Sequence, residues 1–324
     1  MKIIKRVLAV AVSLALLAWL MSADRWRGLG EVVGRVDGLT LGLATAGFLL
    51  SYLLRTLRVF DEFRAQAKGR FGACLRIVLI HNAMVNVVPF RGGEAAFPLL
   101  LRQSFGIALP RAIASLFWFR LQDAFVVLAL AALVWPGLHP ALKALAVAGV
   151  LTLAWWLPRW ARAPHDWAEG KALTAKFGKI RDAFAESTRH ARFGWAWTLA
   201  NWTVKLAAQA GLLAALLPAG LAIGAAGALG AELAAILPIQ GVAGFGTYEA
   251  GAAAALLPSG IPLAAGLQAA LALHLFVIAC SVTAGAIAWL FPAPTAHQAS
   301  AARASDLQSD SSDADGAQTR ISAE

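Results

Sequence analysis

The stretch Asn86-Val87-Val88-Pro89-Phe90-Arg91-Gly92-Gly93-Glu94 interrupts an apolar run that extends over residues 74–101. Proline lacks the amide hydrogen that would continue a helix, and two successive glycines permit a tight reversal. The spacing therefore predicts a re-entrant helical hairpin: the chain dips into an apolar phase, turns near Gly92 and Gly93, and comes back. Residues following the turn are expected to open a new half-helix with free N–H groups, which form an anion site. Arg91 at that point matches a phosphate, because its planar fork donates to two oxygens at once. Glu94 either pairs with Arg91 or titrates.

Composition says which phase this is. Of 324 residues, 59% are hydrophobic and 14% charged, and the mean hydropathy is +0.66. Soluble domains carry about 25% charged residues, so a lipid bilayer is the expected solvent. A helix needs about 20 apolar residues to cross the hydrocarbon. Six stretches qualify: 7–21, 39–57, 113–135, 141–157, 194–217 and 263–291. The first resembles a signal peptide, with Lys2, Lys5 and Arg6 before it, but Met21-Ser22-Ala23 is a poor cleavage site, and an uncleaved span is expected. A second broken run covers 221–257, interrupted at Pro238-Ile239-Gln240-Gly241-Val242-Ala243-Gly244-Phe245-Gly246. The expected architecture is an all-α membrane bundle of about six full spans and two re-entrant hairpins, occupying residues 1–292. Residues 293–324, rich in Ser, Ala, Asp and Gln, read as a disordered cytoplasmic tail.

The formal net charge is +10, from 28 Lys and Arg against 18 Asp and Glu. The basic residues gather in short loops beside apolar runs, which is the positive-inside pattern of a membrane protein rather than a nucleic-acid surface. Residues 55–76 and 158–192 carry half of them, so both loops and both termini are placed on the cytoplasmic side. Parity then requires the first broken run to return to its own side and the second to enter from the opposite face. Inverted halves with broken helices meeting near the midplane form a recurrent transporter design. Within 158–192, Leu173, Phe177, Ile180 and Phe184 recur at helical spacing, with Lys179, Arg181 and Arg189 off the stripe. This predicts either an amphipathic helix on the inner leaflet or a solvated connector with a hydrophobic seam.

A charge at the bilayer centre costs about 2.5–3.5 kcal/mol on insertion scales, so intramembrane charges mark function or pairing. Arg120 and Asp123 are three apart and share a helix face; Glu232 and Glu249 flank the second break; Lys205 and Gln209 share a face four apart. Asn82 and Asn86 approach Pro89 on one face and are candidates to bond the freed backbone. Gly244, Gly246, Thr247 and Tyr248 shape the second turn, and Glu249 is a candidate partner for Arg91 or Arg120. His81 and His274 read as hydrogen-bonded core histidines outside the site. Cys74 and Cys280 offer no metal spacing. The sequence contains no G-x-S-x-G, no paired His or Cys metal motif and no phosphate-binding loop, so no cofactor and no catalytic constellation is expected.

The two breaks and the Arg120/Asp123 pair resemble the lysylphosphatidylglycerol synthase transmembrane-region family, also described as flippase-like domains. The matching residues are 86–94, Arg120 with Asp123, and 238–249, and the resemblance spans roughly residues 5–292. It implies a bacterial inner-membrane protein that moves lipids or lipid-linked anionic molecules between leaflets. It implies no lipid aminoacylation, which belongs to a soluble domain this chain does not contain through residue 324. The family often has arginine where this chain has Phe97, and glutamate where it has Phe119. The candidate substrate-binding set is Asn86, Pro89, Arg91, Gly92, Gly93, Glu94, Arg120, Asp123, Gly244, Gly246, Thr247, Tyr248 and Glu249. The rival readings are an intramembrane enzyme using Glu94 or Glu249 as general base, and a non-catalytic subunit of a lipid or glycan assembly complex. A homo-oligomer or a partner membrane enzyme is the expected protein contact.

Overall fold

The computed structural model describes residues 30–88, 92–135, 137–167, 172–236 and 242–290. The expected span 7–21, the tail 293–324 and the break residues Pro89, Phe90, Arg91 and 237–241 lie outside them. The described residues contain helices and no strand. Among the described residues, four helices are long and apolar enough to cross a membrane: α1 (Gly38–Glu62), α4 (Leu109–Val134), α5 (Pro140–Arg162) and α10 (Leu263–Leu290). Asp37 starts α1 by accepting the Thr40 N–H at 2.8 Å, and Pro110 sits in the first turn of α4, where its missing N–H costs nothing.

Two broken helices are built to one plan. In the first, α2 (Phe71–Val87) leads through the break to a 3-10 turn (Gly92–Ala95) and a ten-residue helix, α3 (Ala96–Phe105). In the second, α8 (Leu221–Ile236) leads to a 3-10 turn (Val242–Gly244) and a ten-residue helix, α9 (Thr247–Leu256). At 1.5 Å per residue, α2 and α8 reach about 25 Å and α3 and α9 about 15 Å, short of the roughly 30 Å hydrocarbon core. Both fold back. The Arg70 guanidinium at the start of α2 donates to the Ser104 carbonyl at the end of α3, 3.1 Å away, so the first broken run begins and ends at one side. In the second, Gly227 packs on Leu256 while Gly230 meets the Gly251 carbonyl and Ala255. Residue numbers rise along α8 as they fall along α9, the signature of an antiparallel pair.

Glycine sits where backbones touch. A side chain on Gly93 would strike the backbone of Met84 and Val85, so the first tip folds directly onto its own entering arm. Such close approach is how membrane helices gain packing without a hydrophobic force between them.

α7 (Gly194–Leu216) packs most extensively on α1, and α10 packs on α2, α9 and α7. α7 carries buried Asn201 and Gln209 and passes as a span only together with α8, to which it is bent by 116°. Along α10, Ala288 accepts from Arg76 and Ser281 accepts from Asn86, both on the first hairpin. From the other end, Gly266 packs on Ala253 of α9 and His274 stacks on Tyr248. The two tips therefore reach the middle of α10 from its two ends, only about 10 Å apart along its axis.

One sequence expectation is corrected here. Arg55 and Arg58 were counted among the basic residues of a loop, but α1 runs through to Glu62. Arg58 is buried and Arg55 lines an internal cavity. Hydropathy ends this span at residue 57, just before Arg58, whereas the helix continues because partners on other helices receive these charges. Contacts still gather the remaining basic segments at one end of the bundle: Arg64 donates to the His190 carbonyl at 2.8 Å, and the Phe193 N–H to Asp61 at 2.7 Å. The connector helix α6 (Ala172–Ser187) packs on α4 and α5. Phe184 is buried there, while Leu173, Phe177 and Ile180 remain exposed.

The hairpin makes a clear prediction. In a Cys74→Ala/Cys280→Ala background, Lys68→Cys and Gln103→Cys will react with a membrane-impermeant maleimide from the same side of oriented vesicles. Labelling from opposite sides would show that 71–105 is a single crossing.

Candidate functional site

The hairpin tips meet at a polar cavity of about 460 Å³. Val88 and Glu94 line it from the first hairpin, and Ile236, Ala243, Gly244 and Tyr248 from the second. Tyr52 and Arg55 of α1, Arg120 and Asp123 of α4, Lys205 of α7, and His274 and Ser281 of α10 complete the wall.

In a low-dielectric interior an unpaired charge is costly, so each charge leads to its partner. Asp123 lies at the centre of the first network. Arg58 donates to it at 2.7 Å, Trp202 Nε1 at 2.9 Å, and Arg58 also reaches Thr198 at 2.9 Å. The Arg58 guanidinium lies over the Phe119 ring, 4.4 Å from its centroid. Arg120 approaches Asp123 at 3.8 Å, but its close partner is Glu94 at 2.7 Å. The expected Arg120/Asp123 pair is therefore present but loose, and each member has a closer partner elsewhere in the chain. His81, which the sequence reading left out, sits 3.6 Å from Glu94 and 3.5 Å from Arg120.

The second network joins α7, α8 and α9. Lys205 pairs with Glu232 at 2.7 Å, Gln209 donates to the same carboxylate at 2.7 Å, and its amide also meets the Tyr248 hydroxyl at 3.0 Å. Glu249, expected opposite Arg91 or Arg120, instead accepts the Gly246 N–H at 2.7 Å and bonds His274 Nδ1 at 2.7 Å. The anion site at the start of α9 is therefore filled by the chain's own carboxylate. Gly244 and Gly246 both adopt φ +85, a left-handed backbone that favours glycine, and Thr247 ties the turn by donating to the Gly244 carbonyl.

One cation is different. Arg55 donates to the Asn82 Oδ1 at 2.7 Å, its buried Nε has no partner, and among the described residues no carboxylate lies within 4 Å of it. Asn86, expected to bond freed backbone, donates to the Asn82 carbonyl and to Ser281 Oγ, both at 2.9 Å. It thus fixes the first tip against α10. Gly92 and Gly93 form the 3-10 turn carrying Glu94. Pro89 and Arg91 lie outside the described residues.

His274 carried a legible signal: a histidine within a 28-residue apolar helix is tolerated only when bonded. Arg55 and Arg58 carried none, because their burial depends on α4, α2 and α7.

Fold and cavity together define a multi-pass membrane protein whose polar centre is assembled by two helical hairpins. Its sequence matches the lysylphosphatidylglycerol synthase TM region over residues 6–285, and the chain belongs to that family. Neither a curated protein nor a solved structure matches the chain. The two positions where this chain departs from the pattern implied by the family resemblance, Phe97 and Phe119, touch each other edge-to-face with centroids 6.1 Å apart. An aromatic pair stands where the resemblance implies a cation and a carboxylate.

Removing one member of a buried pair leaves the other uncompensated, at a cost of about 3–5 kcal/mol, whereas replacing both is far milder. Arg58→Ala will lower the thermal unfolding midpoint in detergent well below that of the Arg58→Met/Asp123→Leu double variant. Equal midpoints would show that the pair does not carry this role.

Proposed function

We propose that this chain moves an anionic lipid, or a lipid-linked anionic molecule, between the leaflets of a bacterial inner membrane. The observation that carries this reading is the cavity between the two hairpin tips, faced by Arg55, a cation with no carboxylate of the described residues within 4 Å. A phosphate there replaces water with a guanidinium fork, the geometry best matched to phosphate oxygens. Arg120 and Lys205 lie on the same wall, and a headgroup entering the cavity competes with Glu94 and Glu232 for them. Breaking and remaking those two pairs gives the site alternative arrangements without leaving a charge bare. Arg91 is proposed to add a further donor at the first tip.

The hairpins reaching α10 from opposite ends support inverted halves working around a fixed central site. The basic end of the bundle is proposed to be cytoplasmic, together with both chain termini. The absence of a phosphate-binding loop in the sequence favours passive or gradient-driven transport, or a partner that supplies energy. Against the reading of Glu94 as a general base stands the Arg120 guanidinium, which holds its carboxylate at 2.7 Å.

The test uses protein reconstituted in vesicles with fluorescent phosphatidylglycerol, whose outer-leaflet fraction is read by dithionite quenching. Arg55→Gln is expected to slow translocation by at least about tenfold, equivalent to about 1.4 kcal/mol of barrier, with Glu94→Gln slower as well. Wild-type rates in correctly inserted Arg55→Gln protein would overturn the reading.

A further inference from the structure

A second concavity, about 670 Å³, lies between α4, α5 and α7. It is separate from the central cavity. Phe117, Leu121 and Ala124 of α4 border the central space, whereas Trp118 and Gln122 border this groove, on a face turned about 120° around the helix. The groove exists because α5 stands apart: only 6% of its most apolar window is buried, and it packs mainly on α4 and α6.

Its lining is of two kinds. At the basic end of the bundle it is lined by Arg159, Arg162 and Arg192. None of them has a carboxylate within 4 Å among the described residues. Two are held in place by uncharged groups. Arg159 donates to the Trp155 carbonyl at 2.8 Å and lies 3.9 Å from that indole's centroid, while Arg162 Nε donates to Thr188 Oγ1 at 2.8 Å. Around them the lining includes the apolar side chains of Leu151, Trp155 and Trp195, all exposed. Beside the arginines, Gln122 is 2% exposed, and its carboxamide oxygen has no hydrogen-bond partner. A buried acceptor left unpaired is costly, and a headgroup hydroxyl supplies the missing donor.

We propose that this groove binds one anionic phospholipid, its phosphate over Arg159, Arg162 and Arg192 and its chains along Leu151, Trp155 and Trp195. Three arginines, two of them held in place, attract an anionic headgroup and give a zwitterionic one little advantage. Tryptophans at headgroup level place an apolar body against the chains with a polar edge towards the interface. The bound lipid fills the gap that α5 leaves and ties it to α7. The site stands independently of translocation through the central cavity.

The experiment reconstitutes the full chain with a phosphatidylglycerol analogue carrying a photoactivatable diazirine in its acyl chain, and maps the cross-links by peptide mass spectrometry. Cross-links are expected at residues 151–155 and 195–196, competed by excess dioleoyl phosphatidylglycerol and not by dioleoyl phosphatidylcholine. Arg159→Gln/Arg162→Gln/Arg192→Gln is expected to lower their yield about tenfold, while the charge-matched Lys68→Gln/Arg102→Gln/Lys179→Gln stays within twofold of wild type. Leu151→Trp, which keeps every arginine and fills the groove, is expected to lower cross-linking at 195–196. Equal competition by both lipids, equal loss in the charge-matched variant, or an unchanged yield in both groove variants would overturn the proposal.

Discussion

The ion pair between Arg58 and Asp123, 2.7 Å long and almost wholly buried, holds the polar centre in register. It joins α1 to α4, and through Trp202 and Thr198 it draws in α7. Two charges in so dry a place stabilise the fold only if geometry and extra hydrogen bonds offset their desolvation, and here Asp123 is met by several donors. Because this pair claims Asp123, Arg120 turns to Glu94, and the tip of the first hairpin is fixed as a result. The second network repeats the logic with Lys205, Glu232, Gln209 and Tyr248. Within this arrangement Arg55 stands out, its side chain held by an amide rather than by a carboxylate.

The geometry of the hairpins follows from length and glycine. Arms of 17 and 10 residues in one hairpin, and 16 and 10 in the other, are each too short to cross a hydrocarbon core of about 30 Å. Irregular backbone at membrane depth is tolerated only where protein or a polar cavity receives its unpaired groups. At the second tip Glu249 takes the Gly246 N–H, and both tips border the central cavity. Glycines at 93, 230 and 251 let backbones come close enough for the arms to lie flat on one another.

Much of this was legible in the sequence, and the exceptions have a common cause. Pro89 with Gly92-Gly93 and Pro238 with Gly244 and Gly246 are local signals, and they marked both hairpins. The long apolar runs marked α1, α4, α5 and α10. Partner choice was not legible, because it is decided between helices far apart in the chain. Spacing alone joined Arg120 to Asp123 and set Glu249 against a distant arginine, but tertiary packing supplied closer partners. The same blindness placed Arg55 and Arg58 in a loop, whereas His81 and His274, read as core histidines, are indeed buried, beside Glu94 and Glu249.

The separation of those partners also bears on how the protein is made. Arg58 and Asp123 are 65 residues apart, and Glu94 and Arg120 are 26; Lys205 and Glu232 lie on successive helices. During synthesis each segment therefore enters the bilayer before its counter-charge has arrived. A lone charge at mid-helix is tolerated at about 2.5–3.5 kcal/mol because the flanking residues are strongly apolar. The debt is settled only when the helices dock. Insertion and assembly are thus distinct steps, and the charged centre makes the second one selective. A misregistered bundle would strand arginine and carboxylate apart in lipid, whereas the native one brings them together, so the polar core serves as a proofreading device for the fold that surrounds it.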